Sequence, residues 1–166
     1  MSLFVANFIV MTTMGEKGAD KKTEVLIVDD NMVEIILFKE AMKWAEIPAK
    51  INMVSDGVQA MQLLAQLDGN LPDLIFLDIN MPRKDGKQCL VEIRNDKKFQ
   101  NTPVIMFTTT DDPREIDETY KKGANLFVTK PYSIDTLKTL LKKIFSLDWR
   151  EYLPHPAKDK YVLREE

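Results

Sequence analysis

The chain has 166 residues, of which 45% are hydrophobic, and this is enough to bury the core of one ordinary globular domain. Its formal charge is −3 at pH 7 and no basic cluster is present, so a DNA-binding surface is not expected. A single cysteine, Cys89, and a single histidine, His155, exclude an internal disulfide and a His/Cys zinc site. The composition fits a protein of the reducing cytoplasm.

Residues 1–22 are expected to form an N-terminal extension. The stretch Leu3–Met11 is apolar, but it lacks a basic leader and a small-residue cleavage pattern, and it is too short to span a bilayer. We therefore expect neither a signal peptide nor a membrane anchor, but an extra element packed on the domain or on a neighbour. Gly15–Lys22 resembles a polar linker.

From Thr23 onward, short β-rich apolar runs alternate with longer segments of helical periodicity. This alternation is typical of a parallel α/β sheet. The five runs are Val25–Val28, Ile51–Val54, Leu74–Leu77, Val104–Phe107 and Leu126–Val128.

The segments between the runs carry the residues that usually begin helices. These signals are Asn31 with Glu34 three residues later, Ser55 or Asp56, Gly86, Asp112 before Pro113, and Ser133. Gly123 is typical of the residue just after a helix end. The pattern predicts a (βα)5 unit over about residues 23–147, followed by a C-terminal tail over 148–166.

Polar side chains end four of the five runs. Asp29 and Asp30 follow the first run, Asp78 the third, Thr108 the fourth and Lys130 the fifth. Open parallel sheets bind ligands at the carboxyl ends of their strands, so these groups are expected to converge. Three neighbouring carboxylates repel one another unless a cation neutralises them. An all-oxygen set predicts Mg²⁺ or Mn²⁺.

Each of these residues also has a more ordinary explanation. A strand-terminal aspartate is more often a helix cap or turn residue, Thr108 could be only a strand-end hydroxyl, and Lys130 a surface lysine. The interpretation as one site depends on their coincidence. Within it, an aspartate beside a lysine and a divalent cation is a known arrangement for accepting phosphoryl groups.

The same residues lie in motifs that resemble the receiver domains of two-component response regulators. The matching segments are Val28–Asp30, Leu77–Pro82 with Asp85 and Gly86, Phe107–Thr109, and Thr129–Pro131. The resemblance covers about 125 residues. It implies a flavodoxin-like, doubly wound, five-stranded parallel sheet of order 2-1-3-4-5.

The resemblance also implies a role for each site residue. Asp78 would be the phosphoacceptor and also a metal ligand. The other metal ligands would be Asp30 directly, Asp29 through water and the Asn80 backbone carbonyl. Thr108 and Lys130 would contact the phosphoryl group, and Phe127 would be an aromatic switch residue. Thr108 would take part in the switch as well, and the Lys130–Pro131 bond would be cis, which would direct the lysine into the site.

The implied function is that of a phosphorelay response regulator, which is not an enzyme beyond its own phosphorylation and autodephosphorylation. Its phosphodonor would be a histidine kinase or phosphotransfer protein. The segment after Leu147 is too short for a DNA-binding or enzymatic output domain, so the output would be contact with a downstream protein. Phe145–Pro156 weakly resembles the extension of phytochrome-associated response regulators.

Two alternatives stay open at this point. A haloacid-dehalogenase-like phosphatase also uses a strand-end aspartate, but it needs a second aspartate where this chain has Asn80. A pseudo-receiver would bind proteins without being phosphorylated, although such domains usually lose one of the site residues. A homodimer is also expected, through Leu3–Met11 or a face carrying Tyr120, Phe127 and Ser133–Phe145, against the alternative of a monomer.

Overall fold

The computed structural model describes residues 22–164, and these form a parallel sheet of six strands in the order β2-β1-β3-β4-β5-β6. The predicted order of the first five strands is confirmed. The strands are β1 Thr23–Val28, β2 Ala49–Val54, β3 Leu74–Leu77, β4 Val104–Thr108, β5 Leu126–Thr129 and β6 Val162–Leu163.

Helices cover both faces of the sheet, as a doubly wound fold requires. The helices are α1 Met32–Trp44, α2 Gly57–Gln66, α3 Gly86–Asn95, α4 Pro113–Lys121 and α5 Ile134–Phe145. One buried cluster joins α1 and α5 to one face of the sheet, and a second joins α2 and α3 to the other face, where α4 also packs. No helix within residues 22–164 is long and apolar enough to cross a membrane.

The predicted helix starts agree with the observed caps. Asn31 accepts hydrogen bonds from two backbone N–H groups of α1, and Ser133 accepts one from the Thr136 N–H of α5. Asp56, rather than Ser55, caps α2. These caps occupy the orphan N–H groups of each first turn, and they fix where each strand-to-helix connection turns back over the sheet.

The segment after α5, expected to be a tail, packs on the domain and adds β6 to the edge of β5. Phe127 N–H donates to the Tyr161 carbonyl at 2.7 Å, and Val162 pairs in parallel with Phe127. The Tyr161 side chain is fully buried, and its hydroxyl donates to Thr119 Oγ1 at 2.8 Å. The edge of the five-stranded sheet is therefore covered by this chain's own C-terminal segment.

The side chain of Asn125 binds this C-terminal segment to the rest of the domain. Its side-chain amide donates to the carbonyls of Tyr152 at 2.9 Å and Pro154 at 3.1 Å. Its side-chain oxygen accepts from the Val104 N–H and from Arg94, and the side chain is completely buried. Because every polar atom of this amide has a partner, its burial stabilises the contact between the sheet and the segment.

Candidate phosphoacceptor and metal site

The carboxylates predicted at the strand ends meet at one edge of the sheet. Oxygen atoms of Asp29, Asp30 and Asp78 lie within 4.8 Å of one another. The backbone register causes this, because Asp78 N–H donates to the Val28 carbonyl at 2.9 Å and so continues the pairing of β3 with β1. Asp29 and Asp78 are buried, whereas Asp30 is exposed.

Burial sets the protonation of the two inner carboxylates. It raises the pKa of Asp78 from 3.8 to about 6, since the ammonium of Lys130 only partly compensates for the lost hydration and Asp29 adds repulsion. Burial also raises the pKa of Asp29, against hydrogen bonds from Lys130 and the Asn31 backbone that lower it. The site therefore favours a bound cation, because the cation would relieve this repulsion.

Lys130 lies among three carboxylates, with only 9% of its side chain exposed. Its Nζ is 2.7 Å from Asp29 Oδ2 and 3.6 Å from Asp78 Oδ1, and it also forms an ion pair with Glu34 Oε2. Burial disfavours the ammonium, but hydrogen bonds to Asp29 and Glu34 outweigh this, so the pKa of Lys130 is raised. The amine is thus held as a cation inside the site.

Glu34 was not predicted as a site residue. The sequence analysis used it only as the capping partner of Asn31, and the structure does show the Asn31 side-chain amide donating to Glu34 Oε1 at 3.1 Å. Its second oxygen reaches Lys130, which lies 96 positions further along the chain. A glutamate three residues after a helix-capping asparagine is common at helix starts, so its position in the sequence carries no separate sign of the second contact.

The expectation of a cis Lys130–Pro131 bond was wrong. Within residues 22–164 the cis peptide bond is Leu153–Pro154. Lys130 reaches the carboxylates without that geometry, because its backbone N–H donates to the Thr108 carbonyl at 2.8 Å and aligns the end of β5 with the end of β4.

The hydroxyl of Thr108 lies at the inner end of the site. The residue is completely buried, and Oγ1 has no hydrogen-bond partner within residues 22–164. The hydroxyl is near enough to Asp78 to lower its pKa slightly, but it lies outside hydrogen-bonding geometry. An unpaired buried hydroxyl costs free energy, so a ligand oxygen at this point would stabilise the site.

The backbone after Asp78 makes a close turn over Gly86. Gly86 N–H donates to the Ile79 carbonyl at 2.9 Å, and a Cβ at Gly86 would lie 2.0 Å from the Asp78 carbonyl oxygen. Asn80, whose carbonyl is the predicted metal ligand, is exposed in this turn two residues after Asp78. That ligand role stays a prediction.

Phe127 is completely buried in β5, with its ring centroid 6.2 Å from that of Tyr161. The sequence alone was equally compatible with a half-buried strand aromatic, and it gave no sign of Tyr161 as a neighbour. The switch role of Phe127 stays a prediction.

Comparison with known proteins identifies the family to which the chain belongs. Residues 25–142 match the model of the response regulator receiver domain. The chain belongs to this family. It is 30% identical over 137 residues to the response regulator Rcp1 of Synechocystis sp., covering 80% of this chain and 92% of Rcp1. The receiver is therefore a two-component signalling protein by descent, and the resemblance inferred from its motifs is confirmed.

Solved structures agree with this assignment. The phosphorylated cyanobacterial phytochrome response regulator RcpA superposes with a TM-score of 0.69 and 31% identity, covering 80% of this chain and 95% of RcpA. The Mn²⁺-bound form of Rcp1 gives 0.67 and 29%, covering 81% and 99%. The flavodoxin-like fold is thus confirmed, and the receiver is similar to these cyanobacterial response regulators.

Proposed function

We propose that this receiver accepts a phosphoryl group on Asp78 from a phosphohistidine of a histidine kinase or phosphotransfer protein. A carboxylate oxygen of Asp78 attacks the phosphorus, the P–O bond forms as the P–N bond breaks, and the departing imidazole takes up a proton. With a pKa of about 6, Asp78 is mainly the nucleophilic carboxylate at pH 7 and above. Attack of water on the phosphorus later releases inorganic phosphate and restores the carboxylate.

The observation that carries the proposal is a pair of donors, one hydroxyl and one ammonium, close to Asp78. Thr108 Oγ1 is buried with no hydrogen-bond partner among the described residues, and Lys130 Nζ is 3.6 Å from Asp78 Oδ1. A phosphoryl group on Asp78 would offer oxygen acceptors to both donors. This combination fits an oxyanion site better than it fits a protein-binding module that is never phosphorylated.

The donor set also fits a divalent cation. Three carboxylates with oxygens within 4.8 Å of one another, and no nitrogen or sulfur ligand among them, suit the hard cation Mg²⁺, with Mn²⁺ as the alternative. Asp29, Asp30, Asp78 and the Asn80 carbonyl would hold it. When bound, it would neutralise charge on the phosphoryl oxygens during transfer.

The direct test is labelling of the full chain with acetyl phosphate and Mg²⁺, followed by mass spectrometry. Asp78→Asn is nearly isosteric and should remove labelling, while Asp111→Asn removes an exposed carboxylate near the same edge and should leave it unchanged. Labelling of Asp78→Asn at the wild-type level would place the acceptor elsewhere. An unlabelled wild type would instead favour the pseudo-receiver alternative.

The remaining assignments extend this proposal. The receiver would be cytoplasmic, would catalyse only its own phosphorylation and dephosphorylation, and would signal by contact with a downstream protein rather than with DNA or a membrane. Residues 23–147 would be the receiver unit, and residues 148–164 an appendage packed on it.

A homodimer strengthened by phosphorylation also stays a proposal. Leu3–Met11, one proposed contact, lies outside the described residues. On the other proposed face, Phe127 is buried and the Tyr120 hydroxyl donates to the Pro156 carbonyl at 3.0 Å. Contacts through that face would therefore fall mainly on α5 and the C-terminal segment.

A further inference from the structure

Lys130 lies closer to another carboxylate than to Asp78, the proposed phosphoacceptor. Its ammonium is closer to Asp29 Oδ2, at 2.7 Å, than to Asp78 Oδ1, at 3.6 Å, and it also pairs with Glu34. An ammonium has three N–H donors, so these three carboxylates can occupy all of them. The contact with Asp78 is longer than a normal hydrogen bond.

Glu34 is fixed where it can hold the lysine. It lies in the first turn of α1, and Asn31, which caps that helix, donates from its side-chain amide to Glu34 Oε1. Oε2 is thereby left for Lys130. Glu34 does not belong to the carboxylate cluster of Asp29, Asp30 and Asp78 found among residues 22–164, so its partner is the lysine rather than a metal ion.

The charges in the site make the contact between Glu34 and Lys130 relevant to anion binding. Glu34 adds a fourth carboxylate to a site in which Lys130 is the cation paired with Asp29, Glu34 and Asp78. A phosphoryl group arriving on Asp78 brings further negative charge and needs an N–H of that same ammonium. The bond between Glu34 and Lys130 must therefore weaken or break when the anion binds.

Resting on the phosphoacceptor function proposed above, we propose that Glu34 is a positioning residue that holds Lys130 on the α1 side of the site and competes with an anion at Asp78 for its ammonium. Glu34 thus lowers the affinity of the site for a phosphoryl group.

Glu34→Gln tests this with little change of shape, because the amide oxygen can still accept from Asn31 while the charge is lost. Fluoroberyllate serves as the probe for the phosphoryl group, titrated into the full chain at saturating Mg²⁺. We expect its Kd to fall about tenfold in Glu34→Gln, which corresponds to about 1.4 kcal/mol. Glu40→Gln removes a carboxylate from the same helix about 9 Å further along its axis, and should bind fluoroberyllate like the wild type.

A second measurement does not depend on anion binding. In ¹⁵N NMR spectra of the metal-free protein, the Lys130 ammonium should give a resonance protected from exchange by its carboxylate partners, and this resonance should shift or broaden in Glu34→Gln but not in Glu40→Gln. An unchanged resonance would overturn the contact itself.

The titrations separate this inference from the proposed function. If wild type binds fluoroberyllate and Glu34→Gln binds equally or more weakly, the competition is refuted while the function of Asp78 stands. If neither wild type nor either variant binds fluoroberyllate, the proposed function fails. The competition then fails with it, even if the NMR spectra show the contact between Glu34 and Lys130. Tighter binding by Glu34→Gln alone would support both.

Discussion

Asp78→Asn should stabilise the metal-free protein, and the gain should depend on pH. The carboxyl is only 6% exposed, and its pKa is raised from 3.8 to about 6, chiefly by burial. Between these two values the folded protein binds more protons than the unfolded chain, so the stability contributed by this group is complete below pH 4 and is lost as the pH rises through 6. The uncharged asparagine escapes this loss.

The size of the effect follows from the shift. About two pH units at about 1.4 kcal/mol each give about 3 kcal/mol as the largest gain at pH 8. Loss of the Asp78 charge removes little from Lys130, because Lys130 keeps its shorter contacts with Asp29 and Glu34. We therefore expect a gain of about 1–3 kcal/mol at pH 8 that disappears near pH 4.

Urea unfolding of both proteins in EDTA, at intervals from pH 4 to pH 8, measures the difference directly. Asp135→Asn, at a side chain that is 86% exposed, is the surface control, and this variant should gain no stability over wild type as the pH rises from 4 to 8. A gain for Asp78→Asn that is the same at every pH would refute the reasoning. Added Mg²⁺ should reverse the order at pH 8, because wild type alone keeps the full set of carboxylates.

Three further predictions concern the metal, the turn and the C-terminal segment. Asp30→Ala should weaken Mg²⁺ binding at least tenfold in calorimetric titration, and unchanged affinity would exclude Asp30 as a ligand. Gly86→Ala should destabilise the fold by about 1–3 kcal/mol in urea and slow phosphorylation, since its Cβ would meet the Asp78 carbonyl at 2.0 Å; wild-type behaviour in both assays would contradict this. Tyr161→Phe should cost about 0.5–1.5 kcal/mol through its lost hydrogen bond to Thr119, and no loss on urea unfolding would show that this hydroxyl contributes nothing.

Most of the site could be predicted because its residues follow strands. Parallel pairing brings the carboxyl ends of β1, β3, β4 and β5 to one edge of the sheet. A side chain just after a buried run is therefore expected at that edge. Asp29, Asp78 and Lys130 needed only correct strand ends. The strand ends were clear, since each run is followed by a polar residue.

The C-terminal strand could not be predicted in this way. β6 has two residues, Val162–Leu163, between Tyr161 and Arg164, and two residues carry no periodicity. What fixes its place is tertiary: the Tyr161 ring fills the space beside Phe127, and Asn125 binds the carbonyls of Tyr152 and Pro154. None of these contacts has a local sequence signal.

Glu34 shows a different limit of sequence reasoning. Its contact with Asn31 at the start of α1 already explains the residue, so the sequence does not indicate its contact with Lys130. A side chain with two acceptor oxygens can satisfy a helix cap with one and reach across the sheet edge with the other, and the first role alone accounts for its position. The contact with Lys130 becomes apparent only in the folded structure, where the long lysine side chain reaches Glu34. The lysine is held between Glu34 of α1 and Asp78 at the end of β3, so its contact with Glu34 opposes the charge that this site would accept on Asp78.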